Sequence, residues 1–107
     1  MGNTYKLVAR KERPEGSDLE RHRERIDSID DALVRLLCQR ARVAMKIGVI
    51  KKKSGMPVRC RKREDEVLAR AVEQADGTMP PESIQRLFRA IIAETRMIET
   101  LEVTHAR

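Results

Sequence analysis

From Ser17 to about Lys53 nothing in the chain breaks a helix, and that one stretch limits the possible folds more than any other feature. Ser17-Asp18-Leu19-Glu20 fits a capping box, with Glu20 at the third helical position. Apolar residues then recur at steps of three and four: Leu19, Ile26, Ile29, Leu33, Leu36, Val43 with Ala44, and Ile47. About 35 residues at 1.5 Å each give a helix of ~50 Å. An ordinary globule of 107 residues has a radius of gyration of only ~13 Å, so the expectation is a very long first helix that packs along a second chain.

Ser54-Gly55-Met56-Pro57 ends this helix. A shorter one is expected from about Val58 or Arg61 to Gln74, with Glu64, Val67, Leu68, Ala71 and Val72 on its inner side. Asp76-Gly77 reads as a turn. Thr78-Met79-Pro80-Pro81-Glu82 opens a third helix, with proline in the first turn where a missing N–H costs nothing. Its apolar row runs Ile84, Leu87 with Phe88, Ile91 and Ile98, with Leu101 nearby. No segment sustains the two-residue alternation of a strand, so the fold class is all-α, a three-helix protomer. The first sixteen residues lack periodicity and end in Pro14-Glu15-Gly16. They are expected to form a flexible basic tail (residues 1–16) ahead of a helical domain (residues 17–107).

A formal net charge of +6 and a pI near 9.8 point to an anionic partner. The aromatic residues are only Tyr5 and Phe88, which leaves no set of stacking rings for single-stranded nucleic acid. Duplex binding through phosphates stays open at this point. No apolar run nears the ~20 residues of a membrane span. The N-terminus lacks a signal-peptide core, and Lys6 stands where a myristoylation signal needs Ser or Thr. Cys38 and Cys60 have no metal-ligand spacing, so a reduced, cytoplasmic protein is expected. So small a chain, with few large side chains, is also expected to oligomerise to complete a core.

The informative residues are those that interrupt the apolar rows. Arg23, Arg40 and Lys51 occupy seam positions on the first helix, and Thr95 and Glu99 do so on the third. A buried charge needs a partner or a ligand. Each long side chain could instead run its stem along the surface and leave its head in water, or Glu99 could simply pair with Lys51 or Arg40. Several cations and a carboxyl on two facing rows favour a pocket for a small dicarboxylate. Arg40 and Lys51 are three turns apart, ~16 Å along the axis, and two long side chains can nearly close that gap around a small molecule. Arg23 lies ~25 Å from Arg40, so it would serve a ligand held mainly by the other subunit. The dense cations from Gly48 to Glu64 thus divide: Lys51 points inward, whereas Lys52, Lys53, Arg59, Arg61 and Lys62 form a mostly solvated face.

The ordered set Arg23, Ile26, Asp30, Leu36-Leu37, Arg40, Gly48, Lys51, Pro57-Val58, Arg63-Glu64, Ile84, Leu87-Phe88, Ile91-Ile92, Thr95-Arg96 and Glu99 resembles the AroQ-class chorismate mutases over about residues 18 to 101. The resemblance implies an intertwined all-helical homodimer with shared active sites, converting chorismate to prephenate with neither cofactor nor metal nor covalent intermediate. It also implies roles. Arg40 binds one substrate carboxylate, and Arg23 from the other subunit binds the second. Lys51 contacts a carboxylate and the ether oxygen. Glu64 and the main chain around Cys60 hold the ring C4 substituent. Thr95 fills a small-hydroxyl position, and Arg63 belongs to the surrounding charge. Glu99, where many members carry Gln, faces the ether oxygen and helps only as the neutral acid. Cys60 stands where better-known members often have Asp. Three competing readings remain: a 4-amino-4-deoxychorismate mutase, an isochorismate pyruvate-lyase, and a non-enzymatic basic helical dimer that binds duplex nucleic acid or a protein. The last has no use for Arg40, Lys51 and Glu99 inside the seams. Partners are therefore expected to be the substrate and a second copy, with no nucleic acid and no membrane.

Overall fold

A computed structural model describes residues 15–105. Of the expected N-terminal tail, residues 1–14 lie outside the described residues, while Glu15 and Gly16 already belong to the first helix, so Ser17 lies within that helix rather than capping it. Among them there are three helices and no strand: α1 (Glu15–Ser54), α2 (Arg61–Gln74) and α3 (Pro81–His105). The chain divides into two compact units, Met1–Cys38 and Gln39–Arg107, and α1 contributes to both.

In the first unit, α1 carries its seam residues on the surface. Leu19, Ile26, Ile29, Leu33 and Leu36 are all about half exposed, although their spacing is that of an apolar face. Local charge pairs accompany them. Arg21 bonds to Asp18 at i,i+3, and His22 Nδ1 lies 2.8 Å from the Asp18 carbonyl. Such exposed pairs contribute at most a few tenths of a kcal/mol, roughly the value of any i,i+3 helix pair.

The second unit holds the buried centre. Its core among the described residues is Ala44 from α1 and Ile92 from α3, with Gly48 also buried one turn beyond Ala44. The end of α1 follows from local chemistry. Gly55 takes a φ of 68°, which only glycine adopts without strain. Its N–H bonds to the Lys52 carbonyl at 3.3 Å, and the Met56 N–H bonds to the Lys51 carbonyl at 2.9 Å. This pairing is a Schellman motif, and Pro57 just beyond it prevents any further helical turn. Lys51 therefore sits in the last turn of α1, with its carbonyl satisfied and its side chain free to turn toward the following loop.

The second helix begins at Arg61, the later of the two expected starts. Cys60 is its N-cap, with extended backbone and no side-chain bond to the open N–H groups. Glu64 in the first turn partly offsets this by placing a carboxylate near the positive end of the helix. The five residues expected to face inward, Glu64, Val67, Leu68, Ala71 and Val72, are all partly buried, and α2 packs on α3. The connection to α3 is an Asx turn. The Thr78 N–H donates to Asp76 Oδ1 at 2.9 Å, and Gly77 supplies a φ of 93°. Pro81 opens α3, and the Ser83 and Ile84 N–H groups bond back to the Pro80 carbonyl.

Candidate active site

A cavity of about 520 Å³ opens within the second unit, and all three helices of that unit line it. Its apolar lining comes from Val43, Ala44, Ile47, Met56, Val58, Val67 and Ile92. The polar lining is the feature of interest. It includes Arg40 and Lys51 from α1, Cys60, Arg63 and Glu64 from the start of α2, and Thr95, Arg96 and Glu99 from α3. Seven of the eight site residues expected from the sequence are thus brought together. The eighth, Arg23, lies in the first unit with its side chain exposed, 3.9 Å from Glu20, and does not line the cavity.

Position on the helices explains the cluster. Arg40, Ala44 and Lys51 fall on one face of α1, and Ile92, Thr95 and Glu99 fall on one face of α3. Arg40 Nη1 donates to Thr95 Oγ1, and the Thr95 hydroxyl donates in turn to the Ile91 carbonyl at 2.9 Å. Further along both helices, Lys51 Nζ donates to Glu99 Oε1 at 2.7 Å and to the Val58 carbonyl at 2.5 Å. Both side chains of this pair are secluded, with Lys51 at 16% and Glu99 at 7% of full exposure. Glu99 is the one buried charged residue among the described residues. Of the seam interruptions, Arg40, Lys51, Thr95 and Glu99 are therefore not snorkelling surface groups, whereas Arg23 is exposed within its own unit. These four are inward-facing groups held by specific partners.

A second polar knot lies on the α2 side. Arg96 Nε donates to Glu64 Oε2 at 2.9 Å, while Arg59 Nε, from the loop before α2, lies 3.4 Å from Glu64 Oε1. Arg63 reaches the cavity but leans outward, 3.6 Å from Glu66. The thiol of Cys60 is free and exposed. Lys52, Lys53, Arg61 and Lys62 are exposed, as expected for a solvated face. Arg59, half exposed in the same run, is tied to Glu64.

The sequence offers little to reveal Arg96 and Arg59. Each acts across two elements, where no fixed spacing betrays a contact. Arg96 enters the sequence reading only beside Thr95 in the ordered set that carries the family resemblance, with no contact to Glu64 implied.

Counting the lining charges, four cations (Arg40, Lys51, Arg63, Arg96) face two carboxylates (Glu64, Glu99), an excess of two positive charges. A small helical unit with such a cavity is electrostatically matched to a small dianion. The family model of chorismate mutase type II matches residues 22–100, and the chain belongs to that family. It is 41% identical over 78 residues to a bifunctional chorismate mutase/prephenate dehydratase of Neisseria gonorrhoeae, a match covering 73% of this chain and 21% of that protein. Among solved structures it resembles a chorismate mutase of Thermus thermophilus, with a TM-score of 0.76, 30% identity, and coverage of 78% of this chain and 94% of the other. It also resembles a chorismate mutase of Helicobacter pylori in complex with prephenate, with a TM-score of 0.76, 29% identity, and coverage of 83% and 97%. The chain spans about a quarter or less of the length of the curated relatives it matches.

Proposed function

We propose that this chain is a chorismate mutase that catalyses the cofactor-free Claisen rearrangement of chorismate to prephenate. The observation that carries the reading is the secluded row of Arg40, Thr95, Lys51 and Glu99, within a cavity whose two excess positive charges equal the charge of the substrate. Family membership and the likeness to a mutase that binds prephenate support it.

The chemistry follows from the arrangement. Chorismate is a flexible dianion that reacts only when folded into a chair, so gripping its carboxylates supplies orientation. Arg40 takes one carboxylate, and Arg23 of the partner subunit takes the other. In the rearrangement a carbon–carbon bond forms as the ether C–O bond breaks, and negative charge grows on the ether oxygen. Lys51, fixed by the end of α1 and by the Val58 carbonyl, meets that charge and stabilises the transition state more than the ground state. Glu99, paired with Lys51, faces the same oxygen. Glu64 and the main chain at Cys60 hold the ring hydroxyl, Thr95 keeps Arg40 aimed, and Arg63 adds to the field.

The active unit on this reading is an intertwined homodimer of the helical domain, with the long α1 of one protomer lying along its partner. The half-exposed row Leu19, Ile26, Ile29, Leu33 and Leu36 supports this, because an apolar stripe of that length is costly to leave in water. Among the described residues no helix is long and apolar enough to cross a membrane, and both cysteines are free and exposed, which suits the reducing cytoplasm. The test is direct. Purified protein without added cofactor should consume chorismate and yield prephenate stoichiometrically. A folded dimer that leaves chorismate unchanged would refute the reading.

A further inference from the structure

The environment of Glu64 bears on a question that the fold leaves open, namely which group the ring of the substrate carries. A lone carboxylate at that place would welcome an ammonium even more than a hydroxyl. Glu64, however, is not alone. One oxygen is held by Arg96 at 2.9 Å and the other faces Arg59 at 3.4 Å, and the Glu64 side chain is only 17% exposed. Two guanidinium groups against one carboxylate leave this corner positive, and Arg63 on the same wall makes it more so.

We propose that Arg59 and Arg96, by holding Glu64 between them, make the chain select a neutral hydroxyl over an ammonium at the ring position that Glu64 serves. This rests on the chorismate mutase reading above, which puts Glu64 at that position.

Two physical effects act in the same direction. The first is charge. An ammonium beside Glu64 is attracted by one carboxylate and repelled by the two guanidinium groups that already neutralise it. The second is the donor and acceptor inventory. An ammonium has three donors and no acceptor, and a guanidinium likewise has only donors. An incoming ammonium would therefore meet N–H groups with N–H groups of its own. A hydroxyl both donates and accepts. It can give its proton to a remaining lone pair of Glu64 while accepting from a neighbouring N–H, so it fits a carboxylate that is already partly occupied. Arg96 approaches from α3 and lines the cavity, whereas Arg59 approaches from the loop between α1 and α2, so the two hold Glu64 from separate elements. Both are specificity-determining positioning residues, because they act through Glu64.

The experiment compares kcat/KM for chorismate and for 4-amino-4-deoxychorismate, which carries an ammonium in place of the hydroxyl. The native protein should favour chorismate by on the order of 10-fold or more, and Arg96→Gln and Arg59→Gln should each shrink that ratio about threefold to tenfold. Arg96→Lys, which keeps the charge, should retain most of the selectivity. A merely structural role would lower both substrates alike and leave the ratio unchanged, and that result overturns the proposal. So does a native protein that prefers the amine. Arg59 lies on a loop and is 47% exposed, so Arg59→Gln carries the test even where Arg96→Gln does not fold. A folded native dimer that consumes neither compound would overturn the proposed reaction itself, and the selectivity with it. That outcome is read as absent turnover rather than as an altered ratio.

Discussion

Removing the Lys51 ammonium should damage the protein in two separable ways, and the geometry sets the size of each. In Lys51→Ala the Glu99 carboxylate, only 7% exposed, loses the ammonium it is paired with. Breaking a buried pair from one side costs about 3–5 kcal/mol. The lower end applies here, because the cavity admits water to Lys51, which is itself 16% exposed. The expected stability loss is about 3 kcal/mol, read as a shift of the urea midpoint. Catalysis should suffer independently, since a preorganised donor at a developing oxyanion contributes about 10²–10³ in kcat. Adding Glu99→Gln to Lys51→Ala separates the two effects. The neutral amide leaves no stranded charge, so most of the lost stability should return while kcat stays two to three orders of magnitude down, about the value of the missing donor. Denaturant melts and initial rates on the same three proteins make the comparison. A double variant that recovers activity along with stability would show that Lys51 only neutralises Glu99. A defect confined to KM would show that it supplies uniform binding rather than transition-state stabilisation.

Mixing an Arg23→Ala chain with an Arg40→Ala chain should restore about a quarter of native activity, because half the dimers are then mixed and each has one intact site. A mixture that stays inactive despite subunit exchange would refute the shared site. Glu99→Gln, whose amide carries a hydrogen-bond donor at any pH, should remain active with chorismate in initial-rate assays. A folded but inactive Gln variant would remove Glu99 from the ether oxygen. Cys60→Ser should raise stability by about 0.5–1 kcal/mol in thermal melts, since a hydroxyl can cap the open N–H groups of α2 that the thiol leaves unbonded. Asp76 is held below its ordinary carboxyl range by hydrogen bonds from the Thr78 side chain and backbone N–H. A depressed folded-state value means a contribution that is present above about pH 4 and lost as pH falls below it, so Asp76→Asn should flatten the acid limb of the stability curve. An acid limb identical to the native one would count against that turn as its source.

Much of this site is legible in the amino-acid sequence, and the reason is periodicity. Arg40, Lys51, Thr95 and Glu99 fall on apolar rows, and a polar residue in such a row faces the same way as its apolar neighbours. The helix breaks are equally plain, because Gly55, Pro57 and Pro81 act through backbone constraints that need no tertiary partner. What periodicity cannot carry is contact between elements. Arg59 reads as one more cation in a solvated run, and only the fold of the loop before α2 brings it to Glu64. The same limit applies to Leu19, Ile26 and Ile29. Their spacing marks a face that wants cover, but a spacing within one helix does not say which chain supplies that cover.

An apolar core that among the described residues comes down to Ala44 and Ile92 has a consequence for how such a protein behaves in a cell. A protomer with so little apolar interior has little to hold it folded by itself, so in the proposed dimer folding and association become one second-order event governed by mass action. Its melting temperature then rises with the logarithm of concentration, and dilution alone is a denaturant. The abundance of the chain, and not only its sequence, would set how much working enzyme exists.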